Sequence, residues 1–242
     1  MRQVAEPKGL LPVMLRVLKG KHANLHKPAT QVVFLLGEGA VGELASALKR
    51  EKAPALRLVC LQTLAMVGPR AKEAVPELIH ALEDDAAARL SAARALGNIG
   101  PDVKIALAAL ARAEKDKDDH VPKVARAAMT QINADPKQKV FEFHSVITAA
   151  DPLDRVKQGH HSVMHTYYIM KAGQKYTINL KAKWDNWMRL EDPRGKEVAF
   201  DDDSGGDKNA RIVYQAKQDG WRRIVVISWE KGPTWPYMLK VE

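Results

Sequence analysis

Leu11, Met14, Leu15 and Leu18 stand at i, i+3, i+4 and i+7, and the spacing returns at Val41, Leu44, Ala45 and Leu48 and at Val75, Leu78, Ile79 and Leu82. A weaker copy runs Val103, Ala106, Leu107, Leu110. Such spacing lines apolar side chains along one face of an α-helix. Behind each stripe lies a second one, spaced i, i+4, i+8, i+11: Leu25/Ala29/Val33/Leu36, Leu56/Cys60/Leu64/Val67, Ala88/Ala92/Leu96/Ile99 and Val121/Ala125/Met129/Ile132. Four helix pairs are predicted. Gly37, Gly68 and Gly100 follow three of the second helices and Asn133 follows the fourth, residues that tolerate a left-handed cap, while Pro69 and Pro101 block continuation. A pair this short cannot bury its stripe alone, so the pairs stack on one another, and residues 1–133 are predicted to form an α-solenoid.

One copy, AVPELIHALEDDAAARLSAARALGNIGP, resembles the short bacterial HEAT-like repeat, with Pro76 after the first apolar residue, Asp84 and Asp85 in the turn, Arg89 opening the second helix and a closing Gly100-Pro101. The second and third repeats match best. The first has GKHANLH where the acidic turn belongs, and the fourth, with EKDKDDH and no Gly-Pro, reads as a C-terminal cap. Cys60 occupies the slot of Ala29, Ala92 and Ala125, which makes it a small core residue rather than a reactive thiol. Arg57 and Arg89 share one slot behind acids such as Glu51, Asp84 and Asp85, and an ion-pair ladder between repeats is expected there.

For a solenoid of this kind the resemblance implies protein contacts. Opposite the core stripe of the second helices lie Lys27, Leu58, Leu90 and Lys123, flanked by Gln31, Gln62, Arg94 and Ala127. The strip is mixed in character and mildly basic, whereas a surface that tracks phosphates would repeat a cation at every rung. Lys27, Gln31, Gln62, Arg94 and Lys123 are therefore candidate contacts for a protein partner.

After Asn133 the run ADPKQKV reads as part of a linker, assigned to residues 134–142, and from residue 143 to 242 the apolar period becomes two. MHTYYIMKAG, QKYTINLKA, WMRLEDPRG, EVAFDDD, ARIVYQAKQDG, WRRIVVISW and YMLKVE are short, β-branched or aromatic segments parted by turn formers, which predicts an all-β sandwich of at least seven strands. This half resembles the bacterial pre-peptidase C-terminal domain. The resemblance is carried in order by Lys171-Ala172-Gly173-Gln174-Lys175-Tyr176-Thr177-Ile178, by Asp185 with Leu190-Glu191-Asp192, by Asp201-Asp202-Asp203-Ser204, by Ala210-Arg211-Ile212 and by Tyr237 to Val241. Trp184, Trp187, Trp221 and Pro236 depart from the pattern, and the three tryptophans are expected as exposed aromatics that alter what the surface binds. The resemblance implies a jelly-roll-like module attached to an extracellular or periplasmic polymer, surface or neighbouring domain, in some members with calcium.

The formal charge of +9 and the pI near 9.5 would fit a nucleic-acid binder, but the excess is shared almost evenly between the halves and no basic run stands out, so that class is kept only as weak binding. One cysteine rules out an internal disulfide framework. The opening MRQVAEPKGLLPVMLRVLKG, broken by Pro12 and Arg16, does not read as a secretory signal, and nothing approaches the roughly 20 apolar residues of a membrane span. No G-x-S-x-G, Gly-rich phosphate loop or H-E-x-x-H is present, and His160, His161 and His165 lack a third ligand on a shared face. In FDDDSGGD the acids are contiguous rather than set across a cleft; a turn is the first reading, and calcium on Asp201, Asp203 and Asp207 is the alternative. An EF-hand counted from Asp201 would put Ile212 where a glutamate is needed. The whole chain is expected to be a non-enzymatic interaction protein, α then β. The alternatives are an accessory fragment of an enzyme, peptidase-associated or bilin-lyase-like, or a weak nucleic-acid binder.

Overall fold

The computed structural model describes residues 9–20, 23–135, 140–148, 151, 163–192, 195–228 and 234–242. Helices α1 (Leu10–Lys19), α2 (Ala23–Leu36), α3 (Val41–Arg50), α4 (Pro54–Val67), α5 (Val75–Ala81), α6 (Ala86–Ile99), α7 (Leu107–Ala113) and α8 (Val121–Ile132) pair in sequence, and the second members α2, α4, α6 and α8 stack side by side. Most of the predicted stripe residues form the core between them: Leu44, Leu56, Cys60, Leu64, Leu78, Leu96, Leu110, Ala125 and Ile132 are all fully buried, whereas Leu25, at the head of the α2 stripe where no repeat among the described residues covers it, is exposed. Each buried Leu or Ile stabilises the array by about 1.5–3 kcal/mol relative to exposure. Prolines sit at the starts of α4, α5 and α8, where the missing N–H costs nothing, and the Asp85 side chain caps α6 by accepting from the Ala88 N–H at 3.1 Å.

Two details depart from the sequence pattern. Pro69 and Pro101 do not merely stop a helix; they lead into 3-10 stretches, Gly68–Ala74 and Pro101–Ala106, that carry the chain to the next pair. Val103 and Ala106 of the fourth stripe thus lie before α7, in a stretch broken at Val103 (φ −116°, ψ 39°), although both side chains still point into the core. Asn133 ends α8 with φ −89° rather than in the left-handed region, unlike Gly68 and Gly100, which do have positive φ.

The second half is a sandwich of two four-stranded antiparallel sheets built from β1 (Phe141–Thr148), β2 (Val163–Met170), β3 (Lys175–Ala182), β4 (Asn186–Glu191), β5 (Glu197–Asp201), β6 (Arg211–Gln215), β7 (Gly220–Ser228) and β8 (Thr234–Val241). The first sheet runs β1-β8-β3-β6 and the second β2-β7-β4-β5. Strand β1 lies across the expected linker and the expected start of the sandwich, so that boundary moves back to Phe141, which pairs with Val241. The first and last strands of the sandwich are thereby neighbours. Phe141, Phe143, Leu180, Leu190, Ile224, Val226, Tyr237 and Leu239 fill the space between the sheets. Val146 of β1 belongs to the helical core and Ala127 of α8 to the sandwich core, so the two cores meet. No helix among the described residues is long and apolar enough to cross a membrane.

Candidate functional site

The strip along the second helices divides into a covered part and an open part. Lys27 and Gln31 stand on α2, and their side chains lie outside the described residues. Gln62 on α4 is half-buried and Lys123 on α8 is exposed. Arg94, expected to face a foreign partner, does not: it is 4% exposed, pairs with Asp151 and donates from Nη2 to the Val146 carbonyl at 2.6 Å. Ala127 is buried against the sandwich. The reason is the sandwich itself, which settles on α6 and α8 and takes up the middle of the strip. Asp151 also accepts from the Thr148 N–H at 2.7 Å and from its hydroxyl at 3.1 Å, and complete burial pushes its carboxyl upward against the pull of Arg94 and Thr148.

A second arm of the seam runs from β2, β4 and β7 to α4. The Tyr167 hydroxyl donates to the Met66 carbonyl, and Arg223 Nη1 approaches the same oxygen at 3.4 Å. Arg223 Nε donates to Glu191 at 2.7 Å, and Glu191 also accepts from Arg189 at 2.6 Å, making a buried chain of three charges. Below it the Tyr167 ring lies against Gly68, where a side chain at φ +65° would collide with the ring, and Trp221 lies over Gly100. The departing aromatics are therefore not exposed ornaments. Trp221 is half-buried on the seam, Trp184 is buried and donates to the Pro236 carbonyl at 2.7 Å, and Trp187 is buried against Phe200.

The expected ladder between repeats is present. Arg57 Nε donates to Asp84 at 3.0 Å, and Arg89 Nη2 donates to Asp116 at 2.8 Å, each also binding carbonyls of the preceding turn. The Arg89 hydrogen bond holds the Asp116 carboxyl below its usual range. Cys60 is buried in its alanine slot, and burial pushes its thiol up to about 12. Deeper in the stack, Asn98 donates to the Ala65 carbonyl at 2.9 Å, and Gln131 reaches Asn98 at 3.4 Å.

FDDDSGGD crosses from the second sheet to the first, from β5 to β6. Asp201 is committed to the turn: its carboxylate accepts from the Ser204 N–H at 3.0 Å and the Arg211 N–H at 2.7 Å. Gly205 N–H closes the loop on the Asn209 carbonyl at 2.7 Å, with Asp207 and Lys208 at φ +53° and +61°. Asp203 and Asp207 are not drawn to Asp201, and no group of three metal-ligating side chains forms among the described residues. His160 and His161 lie outside the described residues, and His165 of β2 stands opposite Val225 of β7, with its side chain outside the described residues.

The open part of the strip leads into a cleft of about 550 Å³ between α8 and the outer face of the first sheet, lined by Lys123 and Arg126 from α8 and by His144, Lys181, Lys183, Pro236 and Met238 from the sandwich. Of these only Lys123 was legible beforehand. Lys181 near the end of β3 and Lys183 in the bend after it name no partner until α8 is placed beside them.

Fold and seam together define an α-solenoid fastened to an antiparallel β-sandwich. Residues 41–130 match the family model described as HEAT repeats, so the helical half is a HEAT-repeat array over that span. None of the curated proteins matches the chain. Among solved structures, the chain is similar to Aeromonas hydrophila PliG, a periplasmic lysozyme inhibitor of g-type lysozyme, at 15% identity and a TM-score of 0.35, over 46% of this chain and 90% of that one. It is likewise similar to the pre-peptidase C-terminal domain of a collagenase from Bacillus anthracis, at 12% identity and a TM-score of 0.32, over 42% of this chain and 87% of that one.

Proposed function

We propose that the chain is a non-enzymatic interaction protein in which HEAT repeats and a β-sandwich, held in one arrangement by the seam, offer a composite surface to a protein partner. The observation that carries this reading is the HEAT array at residues 41–130, whose strip has Arg94 and Ala127 covered at the sandwich and Lys123 exposed. What supports it further is that the buried Arg94–Asp151 pair joins the two halves, and that Arg223, held by Glu191 within the sandwich, reaches the Met66 carbonyl of α4. The polar groups that converge do so on carbonyls and carboxylates of the protein itself, as a structural joint requires.

The test uses the full chain as bait, identifies captured proteins by quantitative mass spectrometry, and measures each purified candidate against the purified chain by calorimetry. Saturable binding at a fixed stoichiometry is expected. Turnover of a substrate by the purified chain would overturn the reading, as would the absence of any candidate that binds directly.

A further inference from the structure

Resting on that reading, we propose that the cleft between α8 and the first sheet seats an acidic, extended segment of a partner protein. Strand register builds its floor. His144 of β1 and Lys181 of β3 both stand opposite Met238 of β8, which puts the three in one cross-strand row on the outer face of the sheet. Lys183, in the bend just after β3, lines the same cleft together with Pro236. The wall is α8, where Lys123 and Arg126 stand three apart and so share a side.

Charge sets this place apart. Several cations elsewhere are matched with carboxylates: Arg57 with Asp84, Arg89 with Asp116, Arg94 with Asp151, Arg223 with Glu191, Lys72 with Asp102 and Lys171 with Asp219. In the cleft Lys123, Lys181 and Lys183 make no ion pair with the described residues, Arg126 alone reaches a carboxylate, Glu114 at 2.8 Å, and no acidic residue belongs to the lining. Three lysines without ion-pair partners among the described residues thus converge beside Arg126 and the largely exposed His144, and their mutual repulsion is relieved when a polyanion enters.

The floor decides which polyanion. Met238 and Pro236 offer apolar contact between the charges, and Tyr237 turns its ring into the sandwich core, so no aromatic side chain among the lining residues is free to stack on a base. An extended peptide repeats its side chains on one face about every 6.8 Å, so it can present acids to more than one of these cations at once. Acids at alternate positions would meet the lysines while the aliphatic groups between them lie on Met238. Because walls and floor come from different halves, the site exists only while the seam holds.

The experiment is fluorescence anisotropy with the full chain and a fluorescein-labelled peptide alternating Glu with aliphatic residues. Its comparators are the same peptide with Gln for Glu and a single-stranded oligonucleotide of equal charge. The acidic peptide should bind, with affinity falling as salt rises, and the Gln peptide should not. Lys123→Glu/Lys181→Glu/Lys183→Glu should weaken binding at least about tenfold, which is about 1.4 kcal/mol. Lys104→Glu/Lys175→Glu/Lys217→Glu changes net charge equally at exposed sites away from the cleft and should leave it within about twofold. Thermal melts establish that both variants are folded. Equal loss in the two variants, equal or tighter binding of the oligonucleotide, or no peptide binding at low salt would each overturn the proposal. A partner captured by the whole chain that binds the cleft variant unchanged would sink the cleft and spare the interaction reading; turnover by the chain would do the reverse.

Discussion

Gly68 shows how much a single missing side chain decides. Its φ of +65° strains any L residue, and the Tyr167 ring fills the space a Cβ would occupy. Gly68→Ala is expected to lower stability by about 2–4 kcal/mol in urea unfolding, from backbone strain and overpacking together. Adding Tyr167→Ala should relieve only the steric part, so the two substitutions combine non-additively. Asp201 makes the contrary case, of a residue spent on its own loop: with its carboxylate accepting from Ser204 and Arg211, melting curves in calcium and in chelator should coincide, whereas Asp201→Ala should cost about 1–2 kcal/mol. A calcium-dependent rise in Tm would refute this. Cys60, Arg57 and Arg89 were legible in sequence because each fills a slot that recurs every repeat. Arg94 was not. Its partners, Val146 and Asp151, lie beyond a change of domain, and no local period carries information about them.

Among the elements, the helices of the second and third repeats were read correctly from their stripes; Leu25 of α2 is exposed instead of in the core, and α7 was misplaced, because Pro101 and the break at Val103 turn half of its stripe into a 3-10 stretch. Strand β1 escaped for a different reason. FEFHSVIT alternates in burial only as far as Ser145, since Val146 faces the helices while Ile147 faces the sandwich, so both faces of its end are covered. The ladder that ties one helix pair to the next has a pH signature whose sign follows from Asp116. Its carboxyl is held low in the fold by Arg89, so the stability it contributes is present above the unfolded carboxylate range and fades as pH falls through the folded value. Urea unfolding followed from about pH 6 down to about pH 3 should show wild type losing more stability than Asp116→Asn, which has no such charge to lose. Parallel curves for the two proteins would show that the ladder does not titrate.

For the whole molecule the question is whether two halves unfold as one. Arg94 and Asp151 are both buried, and removing either leaves the other's buried charge without its counter-ion, at a cost of about 3–5 kcal/mol, whereas Arg94→Met with Asp151→Leu removes both charges together. Calorimetry should find one transition for wild type, two separated transitions for Arg94→Ala, and recovery towards one in the double variant. A single unchanged transition in Arg94→Ala would show that the seam does not couple the halves. The pairing of Phe141 with Val241 has a further consequence, this time in the order of events during synthesis. Helix pairs make mostly local contacts and can condense as they leave the ribosome, but the sandwich cannot close until its last strand has emerged. For that interval the finished solenoid presents Arg94 and the bare faces of α6 and α8 to the cell, a window in which a chaperone would find its binding site and after which the chain withdraws it.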